Sequence, residues 1–186
     1  MDIRTLGLRF STGGEPELEE LVNHYGEKLL RYATSILCDY QEAEDIVQRV
    51  FLAAYQNRKK FDGKNLSGWL YKITYRHCLN QLKKQKLLFF ADLGNVREEG
   101  HDPYGDFAIS DEVLRALRRL SPKERALLFA RIENEQSYEA LSLLFGRSPA
   151  ALRKQYERAK KKLAGYLNAE KMHGKESEHA RRQKQI

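Results

Sequence analysis

Apolar residues recur every three or four positions through most of this chain, and this spacing places them on one face of an α-helix. The first such segment begins at Pro16, a residue suited to the first turn of a helix, and ends near Leu37. A second segment begins near Gln41 and weakens after Ala54. A third begins at about Ser67, whose hydroxyl group can cap a helix, and runs into a lysine-rich end. The first half of the chain is therefore predicted to be a three- or four-helix unit.

Signals for helix starts and ends continue in the second half of the chain. Ser110 and Ser137 each precede an apolar run and can cap a helix. Ser121 opens a capping box, in which a serine and a glutamate three residues later cap each other's backbone. Gly146 can end the helix that begins after Ser137, and Pro149 opens a long final helix. No segment competes as a β-strand, so the second half is predicted to be a four-helix unit.

A stretch without helical periodicity separates the two halves. It contains glycines, a proline and five acidic residues but one basic residue, Arg97. We therefore predict an all-α protein of two small helical domains joined by a flexible linker, with the apolar run 87–90 docked on a domain. The predicted divisions are an N-terminal extension (1–15), a first domain (16–90), an acidic linker (91–109), a second domain (110–168) and a frayed basic tail (169–186).

The composition narrows the class of protein. The chain has 186 residues and a formal net charge of +7, which favours a polyanionic partner. Cys38 and Cys78 are far apart and lack the spacing of metal ligands, so we expect two reduced thiols. The N-terminus lacks the apolar core of a signal peptide, and no run approaches the ~20 apolar residues of a membrane span. We expect a cytoplasmic protein with no membrane insertion, no metal and no cofactor.

The sequence offers no recognisable catalytic centre. Its five histidines are scattered, and none is paired with a nucleophile or spaced for a metal. No glycine-rich loop suited to phosphate binding occurs. We predict that the protein is not an enzyme.

The last two predicted helices have the pattern of a helix-turn-helix. A short helix, a tight turn at 146–148 and a longer helix follow one another. The polar face of the long helix carries Arg153, Lys154, Glu157, Arg158, Lys160 and Lys161. In DNA-binding proteins of this kind, long side chains near the helix N-terminus reach base edges while other cations neutralise phosphates. A solvated basic helix in a plain bundle is the alternative, but the turn and both caps favour DNA binding.

A second group of motifs lies in the first half. The run 42–51 combines acidic residues, two apolar residues, a glutamine and a phenylalanine, and it is followed by Phe61-Asp62-Gly63 and then by Trp69-Leu70-Tyr71-Lys72-Ile73. These motifs, with the segment 78–84, resemble region 2 of extracytoplasmic-function sigma factors. The segments 120–125, 137–140 and 158–163 resemble region 4 of the same family. The resemblance covers about residues 16–86 and 110–168, in the family's order.

The resemblance implies a function. A sigma factor binds core RNA polymerase, recognises the −35 and −10 promoter elements, helps to melt the DNA and directs transcription initiation. The implied partners are promoter DNA and core RNA polymerase, through the coiled coil of its largest subunit and its flap. An anti-sigma factor is a common further partner in this family, and any chemistry belongs to the polymerase.

The resemblance also assigns contacts to three groups of residues. The residues expected to bind core polymerase are Glu42, Asp45, Gln48, Arg49, Phe51 and Tyr55. The residues expected to contact the −10 element are Phe61, Lys64, Asn65, Ser67, Tyr71, Lys72, Tyr75 and Arg76. The residues expected to contact the −35 element are Arg147, Ser148, Arg153, Lys154, Glu157, Arg158 and Lys161. At the −10 element, aromatic rings would stack on bases of the melted strand, and a flipped base would occupy the 61–67 loop.

Ordinary structural roles compete with some of these assignments. Glu42 and Glu44 can simply favour the positive end of a helix dipole, and Trp69 and Ile73 can simply pack in a core. The chain departs from the usual residues of the family at Arg49, Arg76, Ala151 and Gln155. These departures indicate an unusual promoter more than a different function.

Two other classes of protein stay open. A stand-alone helix-turn-helix regulator would use residues 137–163 but would leave the motifs of 42–75 without a role. A helical adaptor that binds no DNA would make the caps and the basic face of 147–161 accidental.

The acidic linker allows two interpretations as well. Its charge either mimics nucleic acid in a basic channel of the polymerase or merely keeps the linker solvated.

Overall fold

The computed structural model describes residues 3–91, 110–132 and 136–183. The helices are α1 (Ile3–Thr12), α2 (Glu15–Leu37), α3 (Tyr40–Asn57), a short 3₁₀ turn (Arg58–Lys60), α4 (Leu66–Ala91), α5 (Asp111–Arg118), α6 (Pro122–Ile132), α7 (Tyr138–Phe145) and α8 (Pro149–Gln183). These described ranges contain no strand, which confirms the all-α prediction. The predicted acidic linker, apart from Ala91, lies outside the described residues.

The first half is built on α2, α3 and α4, which pack through their apolar faces. Leu21 and Leu29 of α2, Ile46 and Val50 of α3 and Leu70 of α4 are buried in one cluster. Each such side chain stabilises the fold by about 1.5–3 kcal/mol because it leaves water. The cluster is the reason that the polar faces of α3 and α4 point outward.

Helix α1 was not predicted, because residues 1–14 show no clear period. The side chains of Leu6 and Phe10 lie one helical turn apart, and both are buried in the core of the first half. The N-terminal extension is therefore part of the folded unit. Gly13 and Gly14 separate α1 from α2, and the side chain of Glu17 accepts a hydrogen bond from the amide of Gly14 at 2.8 Å.

Local capping explains where the helices of the second half begin. Ser121 and Glu124 form the predicted capping box: the Glu124 carboxylate accepts from the Ser121 amide at 2.9 Å, and the Ser121 hydroxyl accepts from the Glu124 amide at 3.3 Å. The hydroxyl of Ser137 accepts from the amide of Ala140 at 3.1 Å and so caps α7. Ser110 stands at the N-cap position of α5, but its side chain makes no capping hydrogen bond.

The two halves pack against each other. Cys38, at the C-terminal end of α2, is buried in a cluster with Leu114, Leu117 and Leu128 of the second half. The side chain of Arg118 donates to the backbone carbonyl of Cys38 at 3.2 Å. Cations near the carbonyl end of a helix are favourable because that end carries the partial negative charge of the helix dipole.

A buried arginine strengthens the same contact. Arg125 is almost fully buried and donates to the carbonyls of Leu117 at 3.2 Å and Leu120 at 2.9 Å, and also to the carbonyl of Ile36 at the end of α2. Burial lowers the pKa of the Arg125 guanidinium, yet arginine keeps its charge in proteins. A buried charge of this kind is tolerated because it is hydrogen-bonded, here to both halves of the chain.

Two predictions at segment ends are wrong. Helix α8 continues to Gln183, so the segment from 169 onward is not frayed over the described residues, and Glu170 accepts a 2.9 Å hydrogen bond from Arg115. The apolar run at 87–90 does not dock where the structure describes its side chains. Leu87 and Leu88 belong to the last turns of α4 and are 71% and 57% exposed.

Candidate nucleic-acid and polymerase interfaces

The turn between α7 and α8 has the geometry that the sequence predicts. Gly146 ends α7 with a left-handed φ of 64°, a conformation that glycine adopts without strain. The hydroxyl of Ser148 then accepts a hydrogen bond from the amide of Ala151 at 3.3 Å and caps α8. Leu152 and Ala159 anchor the buried side of α8. The two helices therefore form a helix-turn-helix in which the first turns of α8 are held at a fixed angle.

The residues predicted to contact the −35 element share the outer face of this motif. All of them are exposed: Arg147, Ser148, Arg153, Lys154, Glu157, Arg158 and Lys161. Within the described part of the chain, this face combines five cations with one carboxylate. Such a surface can neutralise phosphates and also carries groups that hydrogen-bond to base edges.

Two of these arginines make contacts within the motif. The guanidinium carbon of Arg153 lies 5.1 Å from the centroid of the Tyr138 ring, within the range of a cation–π interaction. Arg147 donates to the side-chain oxygen of Gln155 at 3.3 Å. The resemblance to region 4 implies an arginine at the position of Gln155. The chain thus uses this position for an internal hydrogen bond.

The surface predicted to bind core polymerase lies on α3. Asp45, Gln48 and Arg49 are exposed, and Arg49 lies 3.7 Å from Asp45, an ion pair one helical turn apart that adds little stability at the surface. Glu42 is half-buried and accepts hydrogen bonds from Gln81, at 3.3 Å, and from Gln85 on α4. These bonds tie the start of α3 to α4.

The two aromatic residues of that group behave differently. Phe51 is buried in the core, so it can support the α3 surface only from beneath. Tyr55 is half-buried, and the guanidinium carbon of Arg58 lies 4.0 Å from its ring centroid. The candidate polymerase surface is therefore polar, with Tyr55 at its edge.

The aromatic residues predicted to stack on −10 bases are largely inside the protein. Phe61, Tyr71 and Tyr75 are 7%, 2% and 9% exposed. Phe61 stacks on Trp69 with ring centroids 4.9 Å apart, and Trp69 itself is partly buried against the core. In this structure these rings pack on the protein, and their stacking on −10 bases stays a prediction.

Polar side chains form the outer surface of this region. Lys64, Asn65, Lys72 and Arg76 are exposed, and Ser67 is half-buried. The 61–65 loop owes its shape to local hydrogen bonds, since Asp62 accepts from the amide of Lys64 at 3.0 Å and Asn65 accepts from the amide of Gly68 at 2.8 Å. Asn65 thereby caps α4.

An open cleft of about 380 Å³ lies between α3 and α4 beside this loop. Its lining consists of Ala53, Asn57, Lys60, Trp69, Ile73, Arg76, His77 and Asn80. Burial lowers the pKa of His77, and the cations Arg49 and Arg76 lower it further. The cleft combines one aromatic face, amide groups and cations, which is the chemistry that holds a single-stranded nucleic acid.

The second half covers one side of this surface. Tyr75 on α4 and Phe145 on α7 meet edge to face, with ring centroids 5.0 Å apart. A smaller cleft of about 150 Å³ is lined by Lys72 and Trp69 of the first half and by Ala140 and Leu143 of the second. The burial of Tyr75 therefore depends partly on how the two halves pack.

Sequence reasoning missed two residues that position these surfaces. Asp39 caps α3 through a 2.9 Å hydrogen bond from the amide of Glu42, and an aspartate three residues before a glutamate is a recognised start signal. Arg125 matched a family motif, but its tertiary role left no local signal. Within the residues that the structure describes, no group of three or more potential ligands could hold a metal ion. The same residues include no helix that is long and apolar enough to cross a membrane.

Two family models match this chain. Residues 21–87 match the family model described as Sigma-70 region 2, and residues 110–163 match the one described as Sigma-70, region 4. The ECF RNA polymerase sigma factor SigE of Mycolicibacterium smegmatis is 24% identical over 159 residues, which cover 82% of this chain and 62% of SigE. The ECF sigma factor SigW of Bacillus subtilis is 30% identical over 103 residues, which cover 55% of this chain and 54% of SigW. The chain thus spans less than two thirds of the length of these two relatives.

A solved structure shares the fold. It is the sigma factor RpoE in complex with the anti-sigma factor NepR from Bartonella quintana, with a TM-score of 0.71 and 22% sequence identity over 81% of this chain and 96% of the other. The two matched regions occur in the order expected from the sequence, and together they account for more than half of the chain. The protein belongs to the sigma-70 family and, within it, to the extracytoplasmic-function sigma factors.

Proposed function

We propose that this protein binds core RNA polymerase, recognises −35 and −10 promoter elements and directs transcription initiation, without being an enzyme itself. The observation that carries the proposal is the helix-turn-helix of α7 and α8, whose predicted −35 residues all lie on one exposed face. Membership of the sigma factors supports it, since the members of this family are in general not enzymes. A protein that acts with bacterial RNA polymerase would be located in the cytoplasm.

The proposal divides the work between two regions, about 16–90 and 110–168. In the first, the exposed side of α3 with Asp45, Gln48 and Arg49 would bind the coiled coil of the largest polymerase subunit. The loop at 61–67 and the adjoining cleft would hold the −10 strand, with Lys72 and Arg76 near its phosphates. In the second region, α8 would enter the major groove of the −35 element, and the polymerase flap would contact the same domain. An anti-sigma factor is a further proposed partner, by analogy with the RpoE complex.

Binding to duplex DNA with and without core polymerase tests the proposal against a stand-alone regulator. We expect the free chain to bind promoter duplexes weakly and core polymerase to confer strong, sequence-dependent binding. The charge-reversed variant Asp45→Lys should lose this effect of the core enzyme, while the matched variant Glu27→Lys, on the exposed face of α2, should keep it. If the free chain binds promoter duplexes sequence-specifically and core polymerase does not change this binding, the proposal is contradicted.

A further inference from the structure

Helix α1 lies directly against the loop that the proposed function assigns to the −10 element. Gly7 of α1 faces this loop so closely that a Cβ atom added to it would lie 3.4 Å from the carbonyl oxygen of Gly63 and 3.4 Å from a ring carbon of Phe61. The side chain of Leu66, where α4 begins, would be 3.5 Å away. Helix and loop are therefore in contact at Gly7, where an added methyl group would already be in van der Waals contact with the loop.

The contact is reciprocal. Gly63 has a φ of +76°, which only glycine adopts freely, and a Cβ atom at this position would meet the Leu8 side chain at 2.8 Å. Each of the two glycines thus lies against the segment that carries the other. The loop holds its shape against α1 as well as through its own hydrogen bonds.

Two further contacts fix α1 in place. Phe10 is buried beside Trp69, with ring centroids 6.4 Å apart, and Trp69 stacks on Phe61 of the loop. At the end of α1, the carbonyl of Gly13 accepts a 2.9 Å hydrogen bond from Arg58, which belongs to the 3₁₀ turn that leads into the loop. Contacts with the loop region therefore extend from the middle of α1, at Gly7, to Gly13 just beyond its C-terminal end.

We propose that α1 is a positioning element for the −10 loop and that Gly7 sets the base preference of the loop by fixing its distance from α1. This inference rests on the proposed function of the 61–67 loop. It extends that function to residues 3–12, which precede the match to Sigma-70 region 2 that begins at residue 21. Gly7 itself would not touch DNA and would act through Gly63 and Phe61.

The test compares Gly7→Leu with Thr12→Leu, which adds the same side chain at an exposed position of the same helix. Transcription with core polymerase is measured on a preferred promoter and on templates with single changes in the −10 or the −35 element. Gly7→Leu should reduce the preference for the best −10 sequence by about tenfold, a loss within the range of one base-stacking contact. Its −35 preference and core affinity should stay at the wild-type level, and Thr12→Leu should change neither preference.

A second variant covers the case in which Gly7→Leu does not fold. Leu8→Ala removes an exposed side chain that lies beside Gly63, so it should leave folding intact and loosen the loop, again with a weaker −10 preference. If Gly7→Leu folds and keeps the wild-type −10 preference, the inference is overturned. If Gly7→Leu does not fold, a wild-type −10 preference of Leu8→Ala overturns it. Failure of the wild-type protein itself to discriminate between −10 sequences would instead overturn the proposed function.

Discussion

Replacement of Arg153 by alanine should change which −35 sequences the protein prefers. In the structure, Arg153 is exposed on α8 and its guanidinium lies over the ring of Tyr138, at 5.1 Å from the centroid. To reach a base edge in the major groove, the side chain must leave that ring. The Tyr138 contact therefore competes with base recognition, and both energies enter the predicted effect.

The size of the effect follows from these two energies. A bidentate contact between arginine and guanine contributes about 1–3 kcal/mol of discrimination against other bases. A cation–π contact at an exposed site contributes about 0.5–1 kcal/mol and is retained when the base is wrong. The midpoints of these two ranges differ by about 1.2 kcal/mol, so Arg153→Ala should reduce the preference at one −35 position by roughly 8-fold. Tyr138→Leu should increase the same preference, because it removes the competing contact.

The assay measures transcription by the reconstituted enzyme from templates that carry every single-base change in the −35 element. Lys160→Ala is the matched control, because Lys160 is exposed further along α8 and should act only on phosphates. The control should weaken all templates alike and flatten the salt dependence. If Arg153→Ala also lowers transcription equally from every template, α8 does not read bases through Arg153.

Two further predictions concern packing and pH. Burial raises the pKa of both thiols, that of Cys78 to about 12. A thiol reagent should therefore label Cys38 only when the two halves separate, and Cys78 only when the protein unfolds. Arg118→Ala should accelerate the labelling of Cys38 alone, whereas equal acceleration at Cys78 would show unfolding instead. The pKa of His77 is lowered, so the folded protein favours its neutral ring, and the free energy of unfolding should fall as the pH drops below the ordinary value of 6.5. His77→Gln should reduce this fall in urea titrations, whereas an unchanged pH profile would contradict the burial of His77. His24, whose pKa burial also lowers, should account for part of the remainder.

The sequence predicted the helices of the second half well because their limits are set by local chemistry. Ser121, Ser137 and Gly146 each act on backbone groups within four residues, so their roles can be read without tertiary structure. The exposed face of α8 was also predictable, because its buried positions recur with the helical period. Helix α1 was not, since only Leu6 and Phe10 signal its buried side.

The burial of the tyrosines on α4 could also be predicted from the sequence. Tyr71, Tyr75 and Cys78 follow one another at intervals of four and three residues, which places them on one face of α4, and that face is the buried one. The presence of cations beside these tyrosines suggested base stacking, but the helical period already indicated burial. The tertiary roles of Arg118 and Arg125 could not be predicted, because their acceptors at the end of α2 are about 80 residues or more away in the sequence.

Transcription from a library of promoter fragments by core polymerase, with and without this protein, distinguishes a sigma factor from a stand-alone DNA-binding regulator. With the protein present, we predict transcripts that start at defined positions downstream of a shared pair of −35 and −10 sequences, and that disappear when either sequence is changed. Without the protein, core polymerase should give none of these starts. If the protein binds duplex DNA specifically by itself and leaves the set of transcripts unchanged, it is a helix-turn-helix DNA-binding protein that does not act as a sigma factor.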